Sequence, residues 1–267
     1  MNKRIPQALV AAGALSLPFA ALAQDQTLLV ENFSYASGAL TAVSGGIWSA
    51  HSGGGSNPVQ VNASGAAVLR GGSAEDLNAT IAASALTSGT LFASFSLDLS
   101  SGSIAATGVN TYLVHFKDAS TGFRGRVFIG SATVADPDLF RIGVENDGSD
   151  GAATVAFTSN LDRTAPYQVT LAYDLSAGTS KLWVNAPVSG PATVEDTVAA
   201  APLGIVGVAL RQGGGATTTG VFSGAQVDNL TVTYSPAVVP EPGTWALGLV
   251  GAGILGWSAR RRGVTRL

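Results

Sequence analysis

The 267-residue sequence predicts an all-β domain, two antiparallel sheets packed as a sandwich or closed as a barrel. Composition is the first reason. Charged residues make up 12%, well under the roughly 25% of an average soluble domain. Ser, Thr, Ala and Gly stand in their place, whereas several long helices would need more Leu, Glu, Lys and Arg. The second reason is period-two alternation of apolar residues in short runs between Gly, Ser and Asn turns. The third is that no amphipathic helix longer than two turns can be traced between Gln24 and Val238.

Thr27 to Phe33 is the first expected strand. Leu91, Ala93, Phe95, Leu97 and Leu99 then alternate with mostly small or polar residues, as a strand with one buried face requires. Phe92 breaks that pattern and predicts an outer face that is itself partly covered. Thr111 to Lys117 and Arg124 to Ile129 follow, joined by the turn Asp118 to Gly122. Leu139 to Val144 is closed by Glu145-Asn146-Asp147-Gly148. In the clearest hairpin, Tyr167, Val169, Leu171 and Tyr173 alternate, Asp174 to Gly178 turn, and Lys181 to Asn185 return. Ile205 to Arg211 and Val227 to Tyr234 complete a set of about ten strands. In the last, Leu230, Val232 and Tyr234 point one way and Asn229, Thr231 and Thr233 the other.

Periodicity does not order these strands, but short motifs carry a resemblance. Glu31-Asn32-Phe33-Ser34-Tyr35 with Gly38, then Gly45-Gly46-Ile47-Trp48, is similar to the opening of concanavalin-like (laminin-G-like) jelly rolls of exported bacterial proteins. Tyr167 to Tyr173, Lys181 to Asn185 and Val227 to Leu230 resemble that fold's later hairpin and closing strand. The resemblance implies a jelly-roll sandwich over residues 24–238.

The two ends follow different rules. Lys3 and Arg4 precede an apolar stretch from Ala8 to Phe19, and Ala21-Leu22-Ala23 is a small-x-small site, so 1–23 reads as a signal peptide cut after Ala23 by signal peptidase. At the other end Val239-Pro240-Glu241-Pro242 precedes an uncharged run from Thr244 to Ser258, closed by Arg260, Arg261 and Arg262. The prolines fix the start of a helix, and the run lies at the short end of the roughly 17–25 residues that span a bilayer. Trp245 and Trp257 suit its two interfaces, and the arginines belong on the cytoplasmic side. Residues 239–267 resemble the PEP-CTERM sorting domain, which implies a single membrane helix held only until an exosortase removes it, in bacteria that make extracellular polysaccharide.

Removing both ends changes the charge. Six of the 14 basic residues and one of the 17 acidic residues lie there, which leaves eight basic against sixteen acidic. Such a domain repels phosphate backbones, so nucleic acid is not an expected partner. The absence of cysteine excludes disulfides and thiol chemistry.

Candidate sites are few. Glycoside hydrolysis needs two carboxylates flanking a sugar bond, and the Glu-x-Asp-x-x-Glu arrangement of enzymatic concanavalin-like domains does not occur. Glu75-Asp76 and Glu195-Asp196 are adjacent and face opposite ways in extended chain, and Asp136 and Asp138 flank Pro137 in a turn. There is no Gly-x-Ser-x-Gly elbow. His51, in a Ser-Gly-Gly-Gly loop, is expected to be solvated, and His115, in mid-strand, to be structural. Glu145, Asp147 and Asp150, alternating around Gly148, form the best calcium candidate, although Asx turns need the same residues. Trp48 and Trp183 are candidate carbohydrate contacts, with a core role as the alternative.

These features predict a non-enzymatic protein exported across the inner membrane to the cell envelope or biofilm matrix, with a structural or adhesive β-domain. The alternatives are a carbohydrate-binding module for exopolysaccharide and, third, a polysaccharide-modifying enzyme. No cofactor beyond calcium is expected.

Overall fold

The computed structural model describes residues 24–72, 75–146, 155–213 and 222–237. The signal peptide, the sorting tail with its expected membrane helix, and Asp147 and Asp150 of the calcium candidate lie outside the described residues. Gln24–Ala237 forms one compact unit.

Two antiparallel sheets make up the domain. The nine-stranded sheet is centred on Thr90–Asp98, which pairs with Tyr167–Asp174 on one side and Ala225–Ser235 on the other. Outward from these lie Thr179–Val184 and Val194–Asp196 on one flank and Ala67–Leu69, Gln60–Val61 and Gly38–Ala39 on the other. The opening strand, Gln26–Glu31, pairs with the far half of Ala225–Ser235. The eight-stranded sheet runs in the order Ala156–Phe157, Leu139–Glu145, Phe123–Ser131, Asn110–Lys117, Gly207–Leu210, Asp76–Thr80 and Trp48–Ser52, with Leu161–Asp162 also on Leu139–Glu145. A short pair, Ser103–Ile104 with Phe222–Ser223, stands apart.

The core lies between the sheets. Leu91, Ala93, Phe95, Leu97 and Leu99 are buried in it with Tyr167, Val169, Leu171 and Tyr173, the faces that alternation selected. The second sheet contributes Val114, Phe116, Val127, Ile129, Phe140 and Ile142. Both expected hairpin turns form around a capping aspartate. Asp118 accepts the N–H groups of Ser120 and Gly122, and Asp174 those of Ser176 and Ala177. The described chain contains 19 strands rather than about ten. The additional ones run two to five residues, too short for a repeating pattern to show. A four-residue helical turn, Leu40–Val43, is the sole helix among the described residues.

The opening motif has a physical role. Glu31 is buried and accepts the Phe33 N–H at 2.8 Å, the Tyr35 hydroxyl at 2.6 Å and the Trp48 indole N–H at 3.0 Å. Three donors on one carboxylate satisfy a group that would otherwise be costly to bury. Burial, and then the bond to Glu31, push the Tyr35 phenol well above its usual value. The node ties the end of the first strand to the strand that carries His51.

Candidate functional site

The second sheet carries a pocket of about 410 Å³ lined by His51, Asp76, Tyr112, His115, Phe123 and Arg211, with Ser52, Ser120 and Thr121 at its margin. Strict alternation would not bring these side chains together. Tyr112 and His115 are three apart yet meet edge to face at 5.2 Å. The cause is a pair of register shifts between Asn110–Lys117 and Phe123–Ser131, one between Arg124 and Val127 and one between Val127 and Phe128. Across the first, two residues on one strand oppose His115. Gly125 stands there with φ +56°, a left-handed value that glycine adopts freely. Across the second, Leu113 is the additional residue, so Val114 turns to the core while Tyr112 turns to the pocket. A third shift, between Ala50 and Ser52, leaves His51 unpaired in the ladder and free to point inward. Three of the five register shifts in the described ladders therefore frame this pocket. Bulges of this kind re-aim side chains and gather at functional sites.

Aromatic and basic groups line the result. The His115 ring packs against Phe123 at 4.6 Å and lies 6.3 Å from His51. The Arg211 guanidinium sits 4.2 Å from the Tyr112 ring centre, and Arg126 sits 4.9 Å from the same ring. Arg126 also makes a 2.7 Å ion pair with Glu145, both side chains almost fully buried. Lys117 donates to the Asp118 and Ser120 carbonyls at 2.7 and 3.0 Å, closing the turn beside the pocket.

His115 is fully buried, and neither ring nitrogen has a hydrogen-bond partner among the described residues. Burial, reinforced by His51, Arg211, Arg126 and Lys117, holds its imidazole well below the ordinary histidine range. Burial also lowers His51, against the pull of Asp76 in the other direction. Both rings are therefore neutral at pH 7. His51 was expected in solvent. It is half-buried, with its Nδ1 sealed and unpartnered among the described residues, because the bulge turns it toward Phe123 and His115.

The other sequence candidates lie elsewhere. Trp48 is in the core, stacked on Phe33 at 5.9 Å, with no face toward solvent. Trp183 lines a groove of about 390 Å³ on the outer face of the first sheet, with Phe92, Lys181 and Glu195, and its indole N–H donates to the Gly190 carbonyl. Glu145 is committed to Arg126. Among the described residues no group of three His, Asp or Glu side chains is placed to hold a metal ion. Asn229 and Leu230 form a bulge on the last strand, with Asn229 at φ +52° and its N–H on the carboxylate of Asp228 just before it. Glu75 and Asp76 diverge as expected: Glu75 accepts the Gly55 and Val59 N–H groups, and Asp76 takes Ser52 Oγ and the Gln212 N–H.

This architecture occurs in solved structures. The CBM2 module of the evolved Dit protein of Lactobacillus casei BL23 phage J-1 is similar with a TM-score of 0.50 at 11% identity, over 81% of this chain and 99% of that one. A sialidase is similar with a TM-score of 0.46 at 15% identity, but the match takes in 76% of this chain and only 18% of the sialidase. The exoplasmic/lumenal domain of VIP36, in its Ca2+/Man-bound form, gives 0.42 at 12% identity over 73% and 85% of the two chains. At such identities the likeness shows the fold alone: a jelly-roll β-sandwich. None of the curated protein sequences matches the chain. Residues 238–262 match the PEP-CTERM protein-sorting motif. The chain therefore carries an exosortase-dependent signal that sends it out of the cell, to the envelope or beyond.

Proposed function

We propose that the protein is a non-enzymatic adhesive module of the envelope or biofilm matrix, freed from its tail by an exosortase, whose jelly-roll domain holds extracellular polysaccharide at the His51–Tyr112–Arg211 pocket. The pocket's construction carries this reading. The half-buried Phe123 ring lies beside a guanidinium and two imidazoles, with Tyr112, His115 and His51 re-aimed by bulges in an otherwise regular sandwich. The groove beside Trp183 supports a second reading, in which the sugar stacks near Phe92 on the first sheet.

A non-catalytic role agrees with the state of the side chains. His115 is sealed under Phe123, so its nitrogens cannot reach a substrate proton without rearrangement. Asp174 and Glu195 line the Trp183 groove together, yet the first caps a turn and the second pairs with Lys181.

Affinity electrophoresis of the processed chain in gels containing the host's exopolysaccharide tests the reading. Retardation lost in Arg211→Gln and kept in Phe92→Ala supports the second-sheet pocket, and the reverse supports the groove. No retardation would sink polysaccharide binding, and release of new reducing ends would sink the non-enzymatic assignment. Processing is checked separately: protein isolated from its host should lack Trp257 by mass spectrometry, whereas intact tail peptides would contradict exosortase cleavage.

A further inference from the structure

The excess of acidic over basic residues in the domain makes the placement of its few cations informative. Of the eight basic residues between the two ends, Lys117, Arg126 and Arg211 all act on the pocket of the second sheet. Arg126 is matched by Glu145. The one carboxylate lining the pocket, Asp76, has its oxygens on Ser52 Oγ and the Gln212 N–H. Arg211 differs from both. It lies against the Tyr112 ring, gives one hydrogen bond to Thr111 Oγ1 at 3.1 Å, and has no carboxylate partner among the described residues. A guanidinium held over a ring leaves N–H groups at its edge, where a planar acceptor can meet two of them.

The second observation is independent. His115 forms part of the pocket lining with two unsatisfied nitrogens, and an unpaired buried polar group costs about 1–3 kcal/mol. Such a cost persists where a ligand or a trapped water completes the site. A guanidinium, the half-buried His51 imidazole and the Phe123 ring, backed by the sealed and unsatisfied His115 and set in an acidic domain, suit one chemistry. We propose that this pocket binds a carboxylate-bearing sugar of an acidic polysaccharide, with Arg211, held over Tyr112, on the carboxylate and Phe123 against the ring. The proposal rests on the polysaccharide reading above and narrows it. Because the domain as a whole repels polyanions, retention of one requires a local site rather than diffuse attraction.

Calorimetric titration of the processed chain with three uronate polymers, polygalacturonate, alginate and hyaluronate, provides the test. The controls are the same polymers with carboxyls reduced to alcohols, and dextran sulfate. The expected result is binding of at least one uronate polymer, weakened about tenfold or more by carboxyl reduction and by Arg211→Gln, as loss of a charge-assisted hydrogen bond predicts. Thermal melts establish that the variant is folded, and imidazole nitrogen shifts of His51 and His115 in the unaltered chain should move on adding the polymer. Equal affinity for the reduced polymer overturns the carboxylate assignment while leaving polysaccharide binding intact. Dextran sulfate binding as tightly as the uronate overturns it in favour of a general anion site. Binding of reduced polymers alone, or of none, also overturns it, and retardation by the host's exopolysaccharide then decides whether polysaccharide binding stands.

Discussion

In the Thr90–Asp98 strand of the first sheet, buried and half-buried residues alternate without interruption, whereas in Asn110–Lys117 of the second every residue after Asn110 is buried. The first strand runs unbroken against Tyr167–Asp174, residue by residue from Leu97 to Thr90. The second meets Phe123–Ser131 through two register shifts. One strand shows how a half-buried surface is built, with Ser94 and Thr170 bonded to each other on its outer side. The other shows what happens when both faces carry large groups. The ladder gives up regularity to place Tyr112, His115 and Arg126 together on the side away from the core. The first sheet is scaffold throughout most of its width, and the second holds scaffold on one face and the His51–Arg211 pocket on the other.

Substitutions on the two faces of one strand give the widest contrast. Phe95→Ala removes a fully buried ring and should cost about 3–5 kcal/mol. Phe92→Ala, one position away on the half-buried face, should cost about 1 kcal/mol, by area. Urea melts of both variants would measure the gap, and similar losses would mean that the outer face is packed as tightly as the core.

Acid should separate the sheets next, because both histidines sit in the second. The unfolded chain takes up protons at His115 as pH falls through about 6.5, and the folded chain does not. Stability is therefore complete above that value and declines below it, before carboxylates begin to titrate. His51 adds in the same direction. Melts at about pH 7.5 and about pH 5.5 should show the decline. It should be smaller in His115→Gln; an unchanged slope would assign it to other groups.

Gly125→Ala probes the bulge itself. Its φ of +56° suits glycine, while the nearest atoms stand 3.4 Å from an added Cβ, so the cost is conformational rather than steric. About 1–2 kcal/mol is expected, together with weaker polymer retention as Arg126 and Phe123 shift; a neutral result would show that the bulge tolerates an ordinary residue. Smallest of all, Lys181→Ala on the first sheet breaks an exposed 3.5 Å pair with Glu195 and should change stability by no more than about 0.5 kcal/mol.

The same contrast governs what was legible in the sequence. Strands with one buried face declared themselves: Leu91 to Leu99, Tyr167 to Tyr173 and Leu230 to Tyr234 pack as their alternation predicts. The capping aspartates of both hairpins were equally plain. Strands of two or three residues were not, since no period fits in them. The pocket escaped because its residues obey no period: His51 is a bulged residue, and Tyr112 and His115 stand three apart. One signal was present. Gly125 lies within a run of strand-forming residues, and an isolated glycine in a strand marks a bulge. Followed across the hairpin, it would have pointed to His115. Tryptophan was a poorer guide, because the ring most exposed to suspicion, Trp48, is held in the core by a carboxylate 17 residues upstream.

The last strand has a mechanical consequence. Ala225–Ser235 is flanked by Thr90–Asp98 on one side and by Ala67–Leu69 and then Gln26–Glu31 on the other. It is also the strand from which the chain leaves toward the sorting tail. A polymer pulling on the domain against a tether at that exit would drag this strand lengthwise through two ladders of crosswise hydrogen bonds. Bonds loaded in that geometry share the force and yield together, so the domain should resist tension far better from this end than a strand at a sheet edge would allow.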